Sequence, residues 1–312
     1  MRNVPGKSAP PPLAYVERIN RAVDFVLQHW DETLRLDAVA RAAGFSPFHF
    51  HRVFSVLMGE SLNTFVKRVR LERALKLMSQ KDWSTRRSPS LTDIAFSCGF
   101  ESPADFSRCF KQQYGVPPSR FDVDAFRATR RDDWQTAVAG PAQRHLLDGL
   151  PPGQNPDGFA VTFRPLPPRI VAYIRIANSY REGVVPAAAD RLMAWAEAHG
   201  CADRQWLGYA WDDPEIVDVE KCRYDVGVEV DDVTPTGEIG RFEFPAMRVA
   251  ELEIRGGIDL EMRALDWLFA TWLPTSGYVP TDQPCFEAWI GRPFAHGQEH
   301  FELRLQLPVE RG

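Results

Sequence analysis

The sequence predicts a multidomain chain in which an all-α double helix-turn-helix unit is followed by an α+β unit of two pseudo-symmetric β-α-β-β halves around an antiparallel sheet. Three observations carry this. The stretch Ala40 to Phe54, AxxAGFSPFHFHRVF, is written again at Ala95 to Phe110, AxxCGFESPADFSRCF, at an offset of 55 that becomes 56 after Glu101. Beyond residue 157 a longer repeat appears: LPPRIVAYIRI answers FPAMRVAELEI, LGYAWDDPE answers CFEAWIGRP, and CRYDVGVEV answers HFELRLQLPV. The charge divides along the same line, with 20 Lys/Arg against 13 Asp/Glu in residues 1–130 and 17 against 29 in the rest.

These bounds narrow the function classes. A chain of 312 residues, 44% apolar and 25% charged, has ordinary globular composition and length for two domains. It contains no apolar run of membrane-spanning length. The opening MRNVPGKSAPPP lacks an apolar h-region, so residues 1–12 read as a disordered tail, not a secretion signal, and a cytoplasmic location is expected. Five cysteines without a CxxC pair argue against a disulfide framework and a zinc site. A Gly-rich phosphate loop, HExxH and GxSxG are all absent, so neither a cofactor nor the common hydrolase chemistries are expected. A basic helical half suits a polyanion, because Lys and Arg displace counterions condensed on phosphates; double-stranded DNA is the expected partner.

In chain order, Val16, Ile19, Val23, Val26 and Leu27 fall at helical spacing within Leu13 to Trp30. Leu36, Val39, Ala40 and Ala43 form a short second helix closed at Gly44. Ser46 then Pro47 open the next, with serine as cap and proline at the first position. Its buried stripe is Phe50, Val53, Phe54 and Leu57, which turns Pro47, Phe48, His51, Arg52 and Ser55 outward. Leu62 to Met78 reads as a spacer helix, and Ser79 to Pro89 as an Arg-rich loop. In the second copy Ser90 with Asp93 resembles a capping box, Phe106, Cys109 and Phe110 point inward, and Pro103, Ala104, Ser107, Arg108 and Lys111 are left facing out. His49 and His51, two apart, point to different helix faces and do not make a metal pair.

Leu13 to Phe126, with GESLNTFVKRVRLERAL and GVPPSRF inside it, resembles the DNA-binding domain of the AraC/XylS family of transcription regulators. That resemblance implies two recognition helices in adjacent major grooves. It carries the family's base-reading positions onto Phe48, His51 and Arg52 in the first unit, and onto Pro103, Ala104, Ser107 and Arg108 in the second. Two departures stand out. Asp122 follows Phe121 where the family usually carries Arg, and Pro103 and Ala104 are poor hydrogen-bond donors. The bland reading of Asp105 as a capping residue outweighs a cytosine contact.

Residues 127–157 mix charge with Pro and Gly and read as a linker. In residues 158–312, alternation such as Val226/Val228/Val230 and Phe301/Leu303/Leu305/Leu307 marks half-buried strands. With DDPE, RYD and PCFEAW as landmarks, this half resembles the GyrI-like effector-binding domain, and the whole chain resembles a Rob-type regulator. Strand alternation sets Glu287 on one face with Cys285 and Trp289. Tyr209 and Trp211 occupy the matching places in LGYAW, so the two strands are expected to bring aromatics to the carboxylate, with Tyr173 adding to the wall. A carboxylate among aromatics holds an organic cation by charge and by cation–π attraction, the latter about 0.5–2 kcal/mol. The expected function is therefore a DNA-binding regulator with a small cationic or amphipathic aromatic effector. Two alternatives accompany it: a hydrolase using Glu287 as general acid/base, and an interaction module whose acidic domain contacts RNA polymerase or another protein.

Overall fold

The structure, a computed structural model, describes residues 13–79, 89–143, 150–151, 153–297 and 299–312; the expected tail and residues 80–88 of the Arg-rich loop lie outside the described residues. Six helices follow the predicted order: α1 (Leu13–Gln28), α2 (Leu36–Ala42), α3 (Pro47–Met58), α4 (Leu62–Ser79), α5 (Leu91–Ser97) and α6 (Pro103–Tyr114). Phe50 and Phe54 are buried in a first core with Ile19, Val23, Val39 and Phe65, and Phe106, Cys109 and Phe110 in a second with Leu71, Leu75 and Ile94. Helix α4 serves both cores, Leu62 to Val69 in the first and Leu71 to Leu75 in the second. It is thus a rigid spine between the two units. In the second turn Gly99 has φ +72, and a Cβ there would fall 2.7 Å from the Asp31 carbonyl oxygen, so no side chain fits.

The serine caps differ between the copies. Ser102 Oγ accepts from the Asp105 N–H at 3.1 Å, and Ser90 Oγ from the Asp93 N–H at 3.1 Å, whereas Ser46 makes no side-chain cap to α3.

The linker expected over 127–157 is corrected in its first half. Residues Val123–Gln143 form one helix, α7. Asp122 starts it, accepting the Ala125 N–H at 2.9 Å, which is what an aspartate achieves there in place of the family's arginine. The charges that resembled linker composition are an interface. Arg127 pairs with Asp213 at 3.2 Å and Glu215 at 2.5 Å, Arg131 with Glu215 at 3.1 Å and Asp266 at 2.6 Å, and Arg130 with Asp218.

The second half folds around one antiparallel sheet, ordered β1-β6-β9-β8-β3-β4-β2-β5, with β7 paired to β9 off that path. The strands are β1 (Thr162–Leu166), β2 (Arg169–Ala177), β3 (Trp206–Ala210), β4 (Arg223–Val230), β5 (Ile239–Phe244), β6 (Met247–Gly256), β7 (Tyr278–Pro280), β8 (Phe286–Trp289) and β9 (Phe301–Arg311). The predicted strand-helix-strand-strand halves are present, and each gains a leading strand that crosses over. β1 of the first half pairs with β6 of the second, and β5 of the second pairs with β2 of the first. The halves are therefore interlocked.

The two faces of this sheet meet different neighbours. On one, α8 (Val184–Ala198) and α9 (Ile258–Trp267) cover a core that includes Ala172, Ile174, Trp206, Val226, Leu303 and Leu305. The other carries Val171, Tyr173, Leu207, Tyr209, Phe242, Phe244, Phe286 and Ala288, with α1 against β5. Trp211 packs against that layer and against the first helical core, while Ile216, Val217 and Cys222 complete the second. No described helix is long and apolar enough to cross a membrane.

Candidate nucleic-acid interface and ligand site

Burial of Phe50 and Phe54 fixes the rotation of α3, and that rotation leaves Phe48, His51 and Arg52 exposed, Phe48 to 87%, with Ser55 half-buried. Val56, which sequence reasoning missed, is also 75% exposed on this helix. In α6 the same logic exposes Ala104, Arg108 and Lys111 and leaves Pro103 and Ser107 half-buried. The two arginines are not equivalent. Arg108 Nη2 donates to Asp105 Oδ1 at 2.5 Å, whereas Arg52 makes no hydrogen bond or ion pair among the described residues. Asp105 thus donates its backbone N–H to the Ser102 cap and restrains Arg108 through its side chain.

On the helix-covered side of the sheet, the register sets Glu287 of β8 directly opposite Gly208 of β3. The Tyr224 hydroxyl donates to Glu287 Oε2 at 2.5 Å. A Cβ at Gly208 would fall 1.7 Å from the Tyr224 hydroxyl oxygen and 2.7 Å from Glu287 Oε2, so glycine is required for that pair to form. Burial pushes the half-buried Glu287 carboxyl up to about 7, against the opposing pull of the Tyr224 hydrogen bond. A second acid, Glu261 in the first turn of α9, is 4% exposed; burial first, then the charge of Glu287, pushes its carboxyl well above its ordinary range. Among the described residues neither acid has a Lys or Arg within ion-pair distance, and the Glu261 side chain makes no hydrogen bond.

Trp289 lies on this side, its ring 4.9 Å from Phe294 and 5.8 Å from Phe301, with its indole N–H buried and unpaired among the described residues. Cys285 joins them, its thiol pushed up by burial and then by Glu287. Tyr180 is near enough for Glu287 to add to the upward push that burial gives its hydroxyl, and its ring meets Trp134 of α7 at 6.4 Å.

Three expected wall residues are corrected. Tyr209 pairs in register with Phe286, not Glu287, and stands on the opposite face, 5.5 Å from the Phe286 ring and 5.3 Å from Phe244. Trp211 is on that face too, donating its indole N–H to Asp225 at 2.8 Å. Tyr173 is fully buried there, its hydroxyl 2.5 Å from Asp24 of α1. Aligning LGYAW with CFEAW is one residue out of step with the pleat, and such a slip moves every side chain to the other face. Tyr224, in the RYD landmark, is the aromatic that meets Glu287. A depression of about 430 Å³ lies elsewhere, beside Trp195, His199 and Cys201, with its charges paired, Arg204 with Asp231 and Asp232 with Arg241.

Comparison with known proteins matches residues 39–122 to a helix-turn-helix domain and residues 159–310 to the GyrI-like small molecule binding domain. The probable transcription factor PqrA of Proteus vulgaris is 34% identical over 91 residues, covering 29% of this chain and 70% of the relative. A DNA gyrase inhibitor of Serratia proteamaculans is 31% identical over 147 residues, covering 46% of this chain and 92% of the relative. The chain belongs to the AraC-type transcription regulators that carry a GyrI-like small-molecule-binding domain. The chain spans about a third of the regulatory protein PocR of Salmonella typhimurium, 29% identical over 110 residues, which are 35% of this chain and 34% of that one. The exposed faces of α3 and α6 lie within the residues matched to the helix-turn-helix domain. Glu287, Tyr224 and Glu261 lie within the residues matched to the GyrI-like domain.

Proposed function

We propose that this regulator reads double-stranded DNA through residues 13–126, with α3 and α6 entering successive major-groove segments roughly 34 Å apart, and that its GyrI-like half, residues 158–312, holds a small cationic, aromatic effector at Glu287. The DNA reading rests on Phe48, His51, Arg52 and Ser55 in α3, and on Pro103, Ala104, Ser107, Arg108 and Lys111 in α6. The effector reading rests on one observation: Glu261, buried, and Glu287, half-buried, are two carboxyls on one side of the sheet with no basic partner among the described residues. A charge buried without its counterion is costly, and a cation delivered by a ligand removes that cost. Trp289, two residues on along β8, is the aromatic nearest to Glu287 on that face of the strand. No catalytic role is assigned to Glu287, since PqrA and PocR are regulators by name.

The DNA reading is tested on duplexes selected from a random pool. Arg52→Ala should cost about 1–3 kcal/mol and relax preference at one end of the site. Arg108→Ala should act at the other end. A footprint confined to one groove segment and untouched by either substitution would overturn it. The effector reading is tested by calorimetry with benzyltrimethylammonium and its uncharged carbon analogue, neopentylbenzene. Glu287→Gln keeps shape and removes charge, so affinity for the cation should fall by about 1–3 kcal/mol and affinity for the neutral analogue much less. Equal losses for both would mean that the carboxylate only supports the fold.

A further inference from the structure

Strand β4 touches the proposed ligand acid and the DNA-binding half within three consecutive residues. Its alternation turns Tyr224 toward the helix-covered side, where the hydroxyl meets Glu287 at 2.5 Å. Arg223 and Asp225, the residues flanking it, point the other way. The Arg223 guanidinium donates to Asp212 at 2.8 and 2.6 Å, the Arg223 backbone N–H also reaches Asp212 at 2.8 Å, and the guanidinium lies 5.4 Å from the Phe65 ring of α4. Asp225, fully buried, grips Arg175 of β2 at 2.9 and 2.6 Å. Arg175 continues to Asp24 of α1 at 2.8 Å, and Asp24 also accepts the Tyr173 hydroxyl. A single step along one strand thus leads from the ligand acid to a buried charge network that ends on α1, and to an arginine seated on α4, the spine shared by both helix-turn-helix units.

We propose that β4 is the element through which effector occupancy at Glu287 changes DNA binding. This rests on Glu287 being the ligand acid. A cation docked on Glu287 ionises the carboxyl and draws its charge toward the ligand, so the hydrogen bond from the Tyr224 hydroxyl is reset and the tyrosine shifts. Its strand neighbours carry fully desolvated ion pairs, which have few tolerated geometries in a close-packed interior, so the shift is passed on as a discrete rearrangement at α1 and α4. Linkage requires the reverse effect: DNA bound to α3 and α6 changes effector affinity by the same factor.

The test is a double-mutant cycle in the full chain, with Tyr224→Phe on the ligand side and Asp24→Asn on the α1 side, read as affinity for a selected duplex and as amide hydrogen exchange along α1 and α4. Tyr224 and Asp24 share no hydrogen-bond partner, so independent sites would give additive effects. The proposal expects Tyr224→Phe alone to change DNA affinity by about 5- to 150-fold, the usual range of coupling between two sites, and to alter exchange in α1 and α4. In an Asp24→Asn background that change should shrink toward onefold. If Asp24→Asn proves unstable, Tyr173→Phe removes one contact of the same aspartate and should reduce the effect in part. Additive effects, or a Tyr224→Phe whose DNA affinity and α1 exchange match wild type, overturn the proposal. The ligand reading is scored separately. Loss of benzyltrimethylammonium affinity in Glu287→Gln with an additive cycle leaves the ligand site standing and sinks the transmission. Unchanged affinity in Glu287→Gln sinks both, because β4 then has no ligand signal to carry.

Discussion

The two faces of the sheet handle buried charge in opposite ways. On the face against the DNA-binding helices, Asp24, Arg175 and Asp225 form one chain of ion pairs and Asp212 with Arg223 another, so buried carboxylates meet guanidinium groups. On the face under α8 and α9, Glu261 and Glu287 have no cation among the described residues, and the Tyr224 hydroxyl is the hydrogen-bond donor recorded for Glu287. Even a paired acid feels its burial: Asp24 is raised because desolvation outweighs Arg175, whereas for Asp212 desolvation is outweighed by the charge and hydrogen bonds of Arg223 together, and its carboxyl is lowered. A satisfied network specifies how two halves dock. An unsatisfied one invites a partner from outside.

The contrast is broken or sharpened first by stability. Arg175→Met keeps an apolar stem but strands two buried aspartates, and should cost about 3–5 kcal/mol in urea unfolding. Glu287→Gln removes a charge that had no counterion and should leave stability unchanged or raise it. Comparable losses from the two substitutions would erase the distinction between the faces.

A second comparison uses pH. Glu287 rises from its ordinary 4.5 to about 7 on folding, so the folded chain holds that proton more tightly than the unfolded one. The associated stability is complete below about pH 4.5 and is lost as pH climbs through 7. Asp212 has the opposite sign: its folded value lies below the ordinary 3.8, so its contribution is present above that value and disappears as pH falls through the lower one. Glu287→Gln should therefore flatten the stability profile between pH 4.5 and 7, an effect of about 3 kcal/mol, without touching its acid limb. The same proton makes a signature in binding. At pH 6 wild type should release up to one proton on taking up benzyltrimethylammonium, measured as a dependence of the calorimetric heat on buffer ionisation, and Glu287→Gln should release less.

Much of this was legible in the sequence because it is periodic. The copied stretch at Ala40 and Ala95 announced both helix-turn-helix units, and the Phe50/Phe54 and Phe106/Phe110 stripes set which faces look out. Pleat alternation kept Glu287 with Trp289 and Cys285. What escaped depended on register and docking. Aligning two strands by their tryptophans placed Tyr209 beside Glu287, when hydrogen bonding pairs it with Phe286. Tyr173 was read as a strand residue facing a ligand, and nothing local reveals that a helix 149 residues away supplies its acceptor. Glu261 resembles any acid in the first turn of a helix until packing removes it from water. Helix α7 was hidden because its organising face is charged, with arginines matched to acids that lie far along the chain.

The smallest expected effect lies at the margin of the interface. Arg130 and Arg131 of α7 reach Asp218 and Asp266 with side chains about a third exposed, in contrast to the 5% and 0% of Arg175 and Asp225. In that setting water already solvates both partners, the Coulomb attraction is weak, and holding two long side chains in place offsets part of it. Arg130→Ala should therefore cost under about 1 kcal/mol, and the cost should fade in high salt as the Debye length shrinks to about 3 Å at 1 M. The buried Arg175 network should keep most of its worth in the same salt, since no ions enter it. A double substitution of Arg130 and Arg131 that destabilises the full chain as much as Arg175→Met, at low and high salt alike, would place the energy of docking in α7, not at the centre of the sheet.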